Sequence, residues 1–171
     1  MIEHYHSILS FNSLTVNLPC PLISQIRPTD PPALKRKFSK VQAIVDKELD
    51  FCAGKDTPRT GYLYIRNRRV VGMLLAEPIR RAHPLQNSNQ STPRKAALGV
   101  YQLWVHANFR QQKIASQLVT TAREKMVFGW VVPVAEVAFS SPTQAGMAFA
   151  QRYTQGSEVL VYDCGMKGRD D

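Results

Sequence analysis

The stretch from Leu98 to Ala115 carries the residue types and spacing best suited to chemistry. Leu98–Val105 reads as a buried strand, and the basic turn Arg110-Gln111-Gln112-Lys113 then leads into apolar residues at helical spacing. A strand that enters a helix through a short loop gathers free backbone N–H groups at the positive end of the helix dipole. The segment therefore predicts a pyrophosphate-binding loop. The alternative is an ordinary polar turn before an amphipathic helix, which is common in α/β proteins.

The elements that must position this loop follow from the hydrophobic periodicity. Asp30 before Pro31 indicates a helix start, and apolar residues then predict a helix over about 31–50. The other predicted elements are short strands within 13–27, a hairpin of strands 62–65 and 70–75 around the polar turn 66–69, a surface loop over 80–97, a strand at 137–139, a helix over 143–153 and a last strand at 159–162. This order predicts an α/β fold with a mixed sheet and helices on both faces.

Composition limits the protein class. The chain has 171 residues, 44% of them hydrophobic, and a formal net charge of +9, which is enough apolar material for one domain and favours anionic partners. No run of residues approaches the roughly 20 apolar positions of a membrane span, so we expect a soluble, intracellular protein without membrane association. Cys20, Cys52 and Cys164 form no CxxC pair, which argues against a disulfide framework and a zinc site.

Several segments match motifs of one protein family, in the same order. Arg110-x-x-Lys113-x-Ala115 is similar to the coenzyme A signature Arg/Gln-x-x-Gly-x-Gly/Ala, with lysine in place of the middle glycine. The other matches are Leu103-Trp104-Val105 with Ile-Trp-Val, Phe128-Gly129 with Tyr/Phe-Gly, residues 138–150 with Ala-Phe-Ser-x-Pro-Thr-x-x-Gly-x-x-Phe-Ala, and Val159-Leu160-Val161-Tyr162 with Phe-Leu-Val-Tyr. Across about residues 28–163 the chain thus resembles the cohesin acetyltransferases, which are needed for sister-chromatid cohesion.

The resemblance implies a GNAT-like N-acetyltransferase fold, acetyl-CoA as cofactor and lysines of the cohesin ATPase head as substrate, in the nucleus. It implies that the strand at 103–105 offers its backbone to the pantetheine arm, that the loop and helix start hold the pyrophosphate, and that the next helix start contacts the cofactor. The implied cofactor-binding residues are Leu103, Trp104, Val105, Arg110, Gln111, Gln112, Lys113, Ile114, Ala115, Ser116, Ser140, Thr143, Gln144 and Ala145. The Trp104 side chain itself is expected in the core.

The catalytic half of the site is less well matched. Acetyl transfer needs a neutral amine, and a lysine with a pKa of about 10.4 is neutral in roughly one molecule in a thousand near pH 7.4. The animal members of the family carry aspartate at the position of Ser141, an acidic residue at that of Thr120 and serine at that of Tyr101. Serine and threonine are not bases at neutral pH, so a carboxylate elsewhere must take the proton directly or through water.

Two glutamates and one tyrosine are candidates alongside Ser141. Strand alternation places Glu136 on the face of Ser140, although a solvated strand-edge glutamate is the alternative. Glu77 ends the second hairpin strand, where a structural hydrogen bond is the alternative. Tyr153 would protonate the departing thiolate, as its counterparts do in many relatives, unless it is a core aromatic.

The ends of the chain and the partners complete the expectations. We divide the chain into an N-terminal segment (1–27), an acetyltransferase domain (28–165) and a tail (166–171). The family's zinc finger survives at most as His4 and His6, so we predict no bound zinc. Association with chromatin or a replication clamp, nonspecific DNA contact and the oligomeric state stay open. Two alternatives remain: an acetyl-CoA-binding module with impaired catalysis, and a basic nucleic-acid-binding domain.

Overall fold

A computed structural model describes residues 21–50, 58–85 and 92–163. His4 and His6, the three cysteines, residues 13–20 and the predicted tail lie outside these ranges. Within them, no helix is both long and apolar enough to span a membrane.

The described strands join in one mixed sheet in the order β1-β2-β3-β6-β7-β8-β4-β5. Their bounds are β1 Leu22–Ile26, β2 Thr60–Arg66, β3 Arg69–Pro78, β4 Arg81–Pro84, β5 Arg94–Lys95, β6 Leu98–Val105, β7 Val137–Ser140 and β8 Leu160–Tyr162. Strands β1, β2, β3 and β6 pair antiparallel in this order, whereas β6, β7 and β8 run parallel to one another. Helices follow β6 and β7, as parallel connections require.

Helices cover both faces of the sheet, as predicted. Helix α1 spans Pro32–Glu48, α2 spans Ile114–Lys125 and α3 spans Gln144–Tyr153. One core contains α2, α3, Tyr62, Tyr64 and Leu74; the opposite core contains α1 and the strand residues between them, such as Leu63 and Met73. Successive strand residues thus face opposite cores, and because both faces of the hairpin are buried its sequence is apolar throughout. The α/β fold class is confirmed.

The hairpin of β2 and β3 closes through Asn67 and Arg68, both with positive φ (49° and 61°). A two-residue turn with positive φ at both positions matches the right-handed twist of the paired strands. Its position confirms the turn predicted at 66–69. Asp30 does not cap α1: Pro31 is the N-cap, and the Asp30 carboxylate instead accepts a hydrogen bond from the Arg27 N–H at 2.8 Å.

The prediction of a surface loop over 80–97 is wrong for the residues of this range that the structure describes. Two short strands lie inside it: β4, in which His83 pairs with Val161 of β8, and β5, in which Lys95 pairs with Arg81. These pairings join residues distant in the chain, so the local polar composition gave no sign of them. Residues 86–91 lie outside the described ranges.

Candidate functional site

The parallel strands β6 and β7 separate before β6 ends. Their last pair is Val100 with Phe139, yet β6 continues to Val105. The register between β3 and β6 shifts at this level, where Tyr101 is bulged out between Val100 and Gln102. Such a bulge bends a strand and increases its twist. The result is a gap between β6 and β7 at the carboxyl ends of both strands.

Backbone groups of β6 line this gap. The His106 N–H donates to Val71 O of β3 at 3.0 Å. Because backbone groups alternate along a strand, those of Trp104 also face β3, whereas those of Leu103 and Val105 face the gap. The Trp104 side chain is buried in the core beside α1, as expected. Among the predicted residues 103–105, the two outer ones therefore have backbone groups available to a ligand.

The loop between β6 and α2 has the form of an anion site. Lys113 is the N-cap of α2 in the left-handed conformation (φ 60°), without a side-chain cap. This conformation, which glycine adopts most easily, explains why the coenzyme A signature has glycine there. The first N–H groups of α2 therefore stay available at the positive end of its dipole. Arg110 closes the loop, because its Nε donates to Val105 O at 3.2 Å.

Side chains within this loop divide into two groups. Ile114 is 2% exposed and packs in the core, so only its backbone can serve a ligand. The predicted residues Gln111, Gln112 and Lys113 are exposed, while Ala115 and Ser116 are half-buried. The loop can therefore present N–H groups and cations to a bound anion.

A second helix begins at the same edge. Ser140 ends β7, Ser141 turns the chain with φ 36°, and the Thr143 hydroxyl accepts from the Gly146 N–H at 3.2 Å as the N-cap of α3. Gln144 and Ala145 in the first turn of α3 are exposed. The N-termini of α2 and α3 thus flank the gap, and both helix dipoles favour negative charge there.

Tyr153 is the last residue of α3, and its side chain lies between α3 and α2. Its hydroxyl is 3.0 Å from Thr120 Oγ1 and accepts from Arg123 Nη1 at 3.3 Å, while its ring stacks on Phe149. Thr120 is about 9 Å along α2 from the helix start. The phenol oxygen, in contact with Thr120, therefore lies between one and two turns from the start of α2.

Glu77 makes contacts of the kind that its structural alternative required. It is 6% exposed, its Oε1 accepts from the Tyr162 hydroxyl at 2.9 Å, and its Oε2 lies 3.2 Å from Arg59 Nε. The Arg59 Nε–H is not aligned for a hydrogen bond with that carboxylate, but the guanidinium stacks 3.4 Å above the centre of the Tyr101 ring. Both carboxylate oxygens are thus engaged.

Glu136 does not lie at the gap. It lies in a 3-10 turn before β7, not in the strand, and pairs with Lys95 at 2.9 Å. Because β7 separates it from Ser140 by about 13 Å, it is at the opposite end of the strand. The strand-alternation argument therefore does not apply to it.

Two residues near the site were not singled out from the sequence. Ser140 pairs with Tyr162 in parallel register, so the exposed Asp163 follows β8 at the same edge of the sheet where Ser141 follows β7. The sequence signal for Asp163 was its position as a carboxylate directly after the motif of the last strand. Arg123 was missed because helical spacing alone does not predict its contact with Tyr153, which is 30 residues away in the chain.

The arrangement fits an extended ligand that carries amides and a diphosphate. Leu103 and Val105 offer strand-like hydrogen bonds to an amide-bearing arm, while the loop and two helix N-termini suit a diphosphate. Among the residues in the described ranges, no three His, Cys, Asp or Glu side chains form a metal-binding group.

Comparisons with known proteins agree with this geometry. The family described as ESCO1/2 acetyl-transferase matches residues 94–162. The N-acetyltransferase ESCO2 of Mus musculus is 33% identical over 156 residues, covering 81% of this chain; the chain spans 26% of that protein. The xEco2 acetyltransferase domain bound to a CoA conjugate superposes with a TM-score of 0.77 at 32% identity, covering 84% of this chain and 92% of that one. An aminoglycoside acetyltransferase from an uncultured soil metagenomic sample has a TM-score of 0.51 at 15% identity, over 87% of this chain and 97% of that one, which shows the fold alone.

Proposed function

The chain belongs to the ESCO1/2 acetyl-transferase family, and from this premise we propose that it transfers an acetyl group from acetyl-CoA to protein lysines. The observation that carries the proposal is the gap where β6 leaves β7 after Val100. This gap has strand-like backbone donors on one wall and two helix N-termini at its mouth. Those are the groups that a pantetheine arm and a diphosphate require.

The chain's own residues bind and orient the cofactor. Leu103 and Val105 hydrogen-bond the amides of the arm, and the N–H groups of Gln111–Ser116 hold the pyrophosphate. Arg110 and Lys113 add positive charge, and the start of α3 at Thr143–Ala145 contacts the cofactor from the other wall. Bound acetyl-CoA supplies the activated acetyl thioester.

Tyr153 supplies a proton to the leaving sulfur. Because Arg123 Nη1 donates to the phenol oxygen, the hydroxyl hydrogen of Tyr153 is left to point at Thr120 or into the gap. The hydrogen bond from Arg123 also fixes the position of the phenol oxygen. In the exchange of the thioester C–S bond for the amide C–N bond, Tyr153 would give this proton to the sulfur and would recover the second proton that the lysine nitrogen loses as the amide forms.

The acceptor lysine must lose a proton, which costs about 4 kcal/mol near pH 7.4. We assign this step to the Asp163 carboxylate, acting through water. It is exposed and follows β8 at the edge where Ser141 follows β7, and Ser141 is the position at which the family resemblance implies an aspartate. The assignment is favoured over the two glutamates named from the sequence, since both oxygens of Glu77 are engaged and Glu136 is at the far end of β7.

The substrate in this proposal is a lysine on the cohesin ATPase head, and the protein acts in the nucleus. The ordered motif matches support the substrate. The net charge of +9 supports docking to an acidic surface near that lysine.

The test is acetylation of a folded cohesin ATPase head. The purified chain is incubated with acetyl-CoA and the head, and acetylated lysines are mapped by mass spectrometry against a reaction without enzyme. Site-specific acetylation above this control supports the proposal. Acetyl-CoA binding without acetylation favours the impaired binding module, and DNA affinity with a steep salt dependence but no acetyl-CoA binding favours a nucleic-acid-binding domain.

A further inference from the structure

Two arginines lie directly opposite each other where β2 and β3 meet their turn. Arg66 pairs with Arg69 in the antiparallel register. Val70 packs on the α1 side of the sheet, so its neighbour Arg69, together with Arg66, lies on the α2 side. Like charges directly opposite on adjacent strands destabilise a hairpin. A bound anion between the two guanidinium groups would remove this repulsion.

This arginine pair is next to the anion loop. Arg66 Nη1 donates to Gln112 Oε1 at 2.7 Å, and its guanidinium lies 5.9 Å from the centre of the Phe109 ring. Only one N–H group of Arg66 is engaged by Gln112, so others can bind an anion. Residues 58–76 and 78–123 contain no aspartate or glutamate, so the hairpin, the loop and most of α2 bring no acidic side chain of their own.

The hairpin turn places a positively charged residue, Arg68, in a strained backbone conformation. Arg68 has φ 61°, a conformation that glycine adopts freely and that strains other residues by about 1 kcal/mol. Lys113 across the loop is in the same conformation, with φ 60°. Two positions that favour glycine therefore both carry positive side chains at this edge. Strained residues of this kind often mark binding sites.

We infer that Arg66 and Arg69 bind the 3′-phosphate of coenzyme A. This inference rests on the proposed function, because it needs the pyrophosphate in the adjacent loop. The 3′-phosphate is a near-dianion at neutral pH, and the planar guanidinium is well matched to phosphate oxygens. The hairpin turn is thus a second anion subsite, which selects CoA over the same molecule without its 3′-phosphate.

The experiment measures dissociation constants of CoA and dephospho-CoA by isothermal titration calorimetry. The wild-type chain should bind CoA at least about tenfold more tightly, the value expected for a charge-assisted phosphate contact. Arg69→Gln should reduce this ratio to about twofold or less, while the dephospho-CoA constant stays close to the wild-type value. Arg66→Gln should have the same effect, although it also removes the bond to Gln112.

Arg36→Gln is the matched control, because it removes one exposed positive charge from α1 on the other face. It should keep the wild-type ratio. Equal wild-type affinities for CoA and dephospho-CoA would overturn the 3′-phosphate subsite and leave the proposed function standing. An unchanged ratio in both the Arg66 and Arg69 variants would also overturn it. If neither ligand binds the wild-type chain, the proposed function fails and the subsite fails with it.

Discussion

Replacing Gly72 by alanine tests how closely α2 rests on the sheet. A Cβ at this position would lie 2.8 Å from Ile114 Cγ2 and 3.1 Å from Leu118 Cδ1. Carbon atoms in contact normally stay about 3.5–4.0 Å apart, so the start of α2 must move outward by about 0.7–1.2 Å. Overpacking of this size costs about 1–3 kcal/mol in the free energy of unfolding.

The shift also affects the proposed cofactor loop, because Ile114 directly follows the N-cap Lys113. A misplacement of about 1 Å lowers catalytic efficiency by up to about 100-fold, so we expect kcat/KM of Gly72→Ala to fall by about 10- to 100-fold. Urea unfolding gives the stability change, and steady-state acetyl transfer gives the kinetic change.

Gly146→Ala is the control for stability, since it makes the same chemical change inside α3. Its Cβ would meet only Thr143 Oγ1 at 3.4 Å and Pro142 Cβ at 3.5 Å. We expect this variant to be more stable by about 0.4–1 kcal/mol, because alanine restricts the unfolded chain. Wild-type stability and kinetics in Gly72→Ala would refute the close packing of α2 on β3.

Three further predictions concern ionisable groups. Burial raises the pKa of Tyr62 to about 12, against the opposing effects of its Gln25 hydrogen bond and of Arg27. The folded pKa exceeds the unfolded value of about 10, so the contribution of Tyr62 to the free energy of unfolding is complete below pH 10 and is lost as pH rises towards 12. The loss is at most about 2.7 kcal/mol. Urea unfolding at pH 9 and pH 11 should therefore show a larger loss of stability in wild type than in Tyr62→Phe. Tyr153→Phe should lower kcat by about 10²–10⁴-fold with little change in CoA affinity, and an unchanged kcat would exclude the phenol as proton donor. Asp163→Asn should lower kcat/KM by a similar factor, whereas Glu136→Gln should keep wild-type kinetics. Equal effects in these two variants would contradict the assignment of the base.

Local sequence patterns predicted the elements whose own residues carry a clear apolar spacing or turn signal. Strand β6 was predicted with its observed ends, and α2 and the β2–β3 turn were found where apolar spacing and polar residues placed them. Each of these signals lies within a single element. The short strands β4 and β5 were missed because their stability comes from pairing with distant segments.

The same distinction explains the outcome at the site. The glycine position occupied by Lys113 was visible in the sequence, and its left-handed backbone gives the reason for the family's glycine. The positions of Glu136 and Asp163 depended on where β7 starts and on the register of β7 with β8. Glu136 precedes β7 and Asp163 follows β8, so the direction and register of these parallel strands decide which carboxylate lies at the open edge.

Hydrogen exchange with and without acetyl-CoA tests most directly whether the gap between β6 and β7 holds the cofactor. We expect slower exchange in peptides that cover Leu103–Val105 and Gln111–Ser116, with unchanged exchange in α1, Pro32–Glu48. Protection of α1 without protection of these two segments, at saturating acetyl-CoA, would contradict the account.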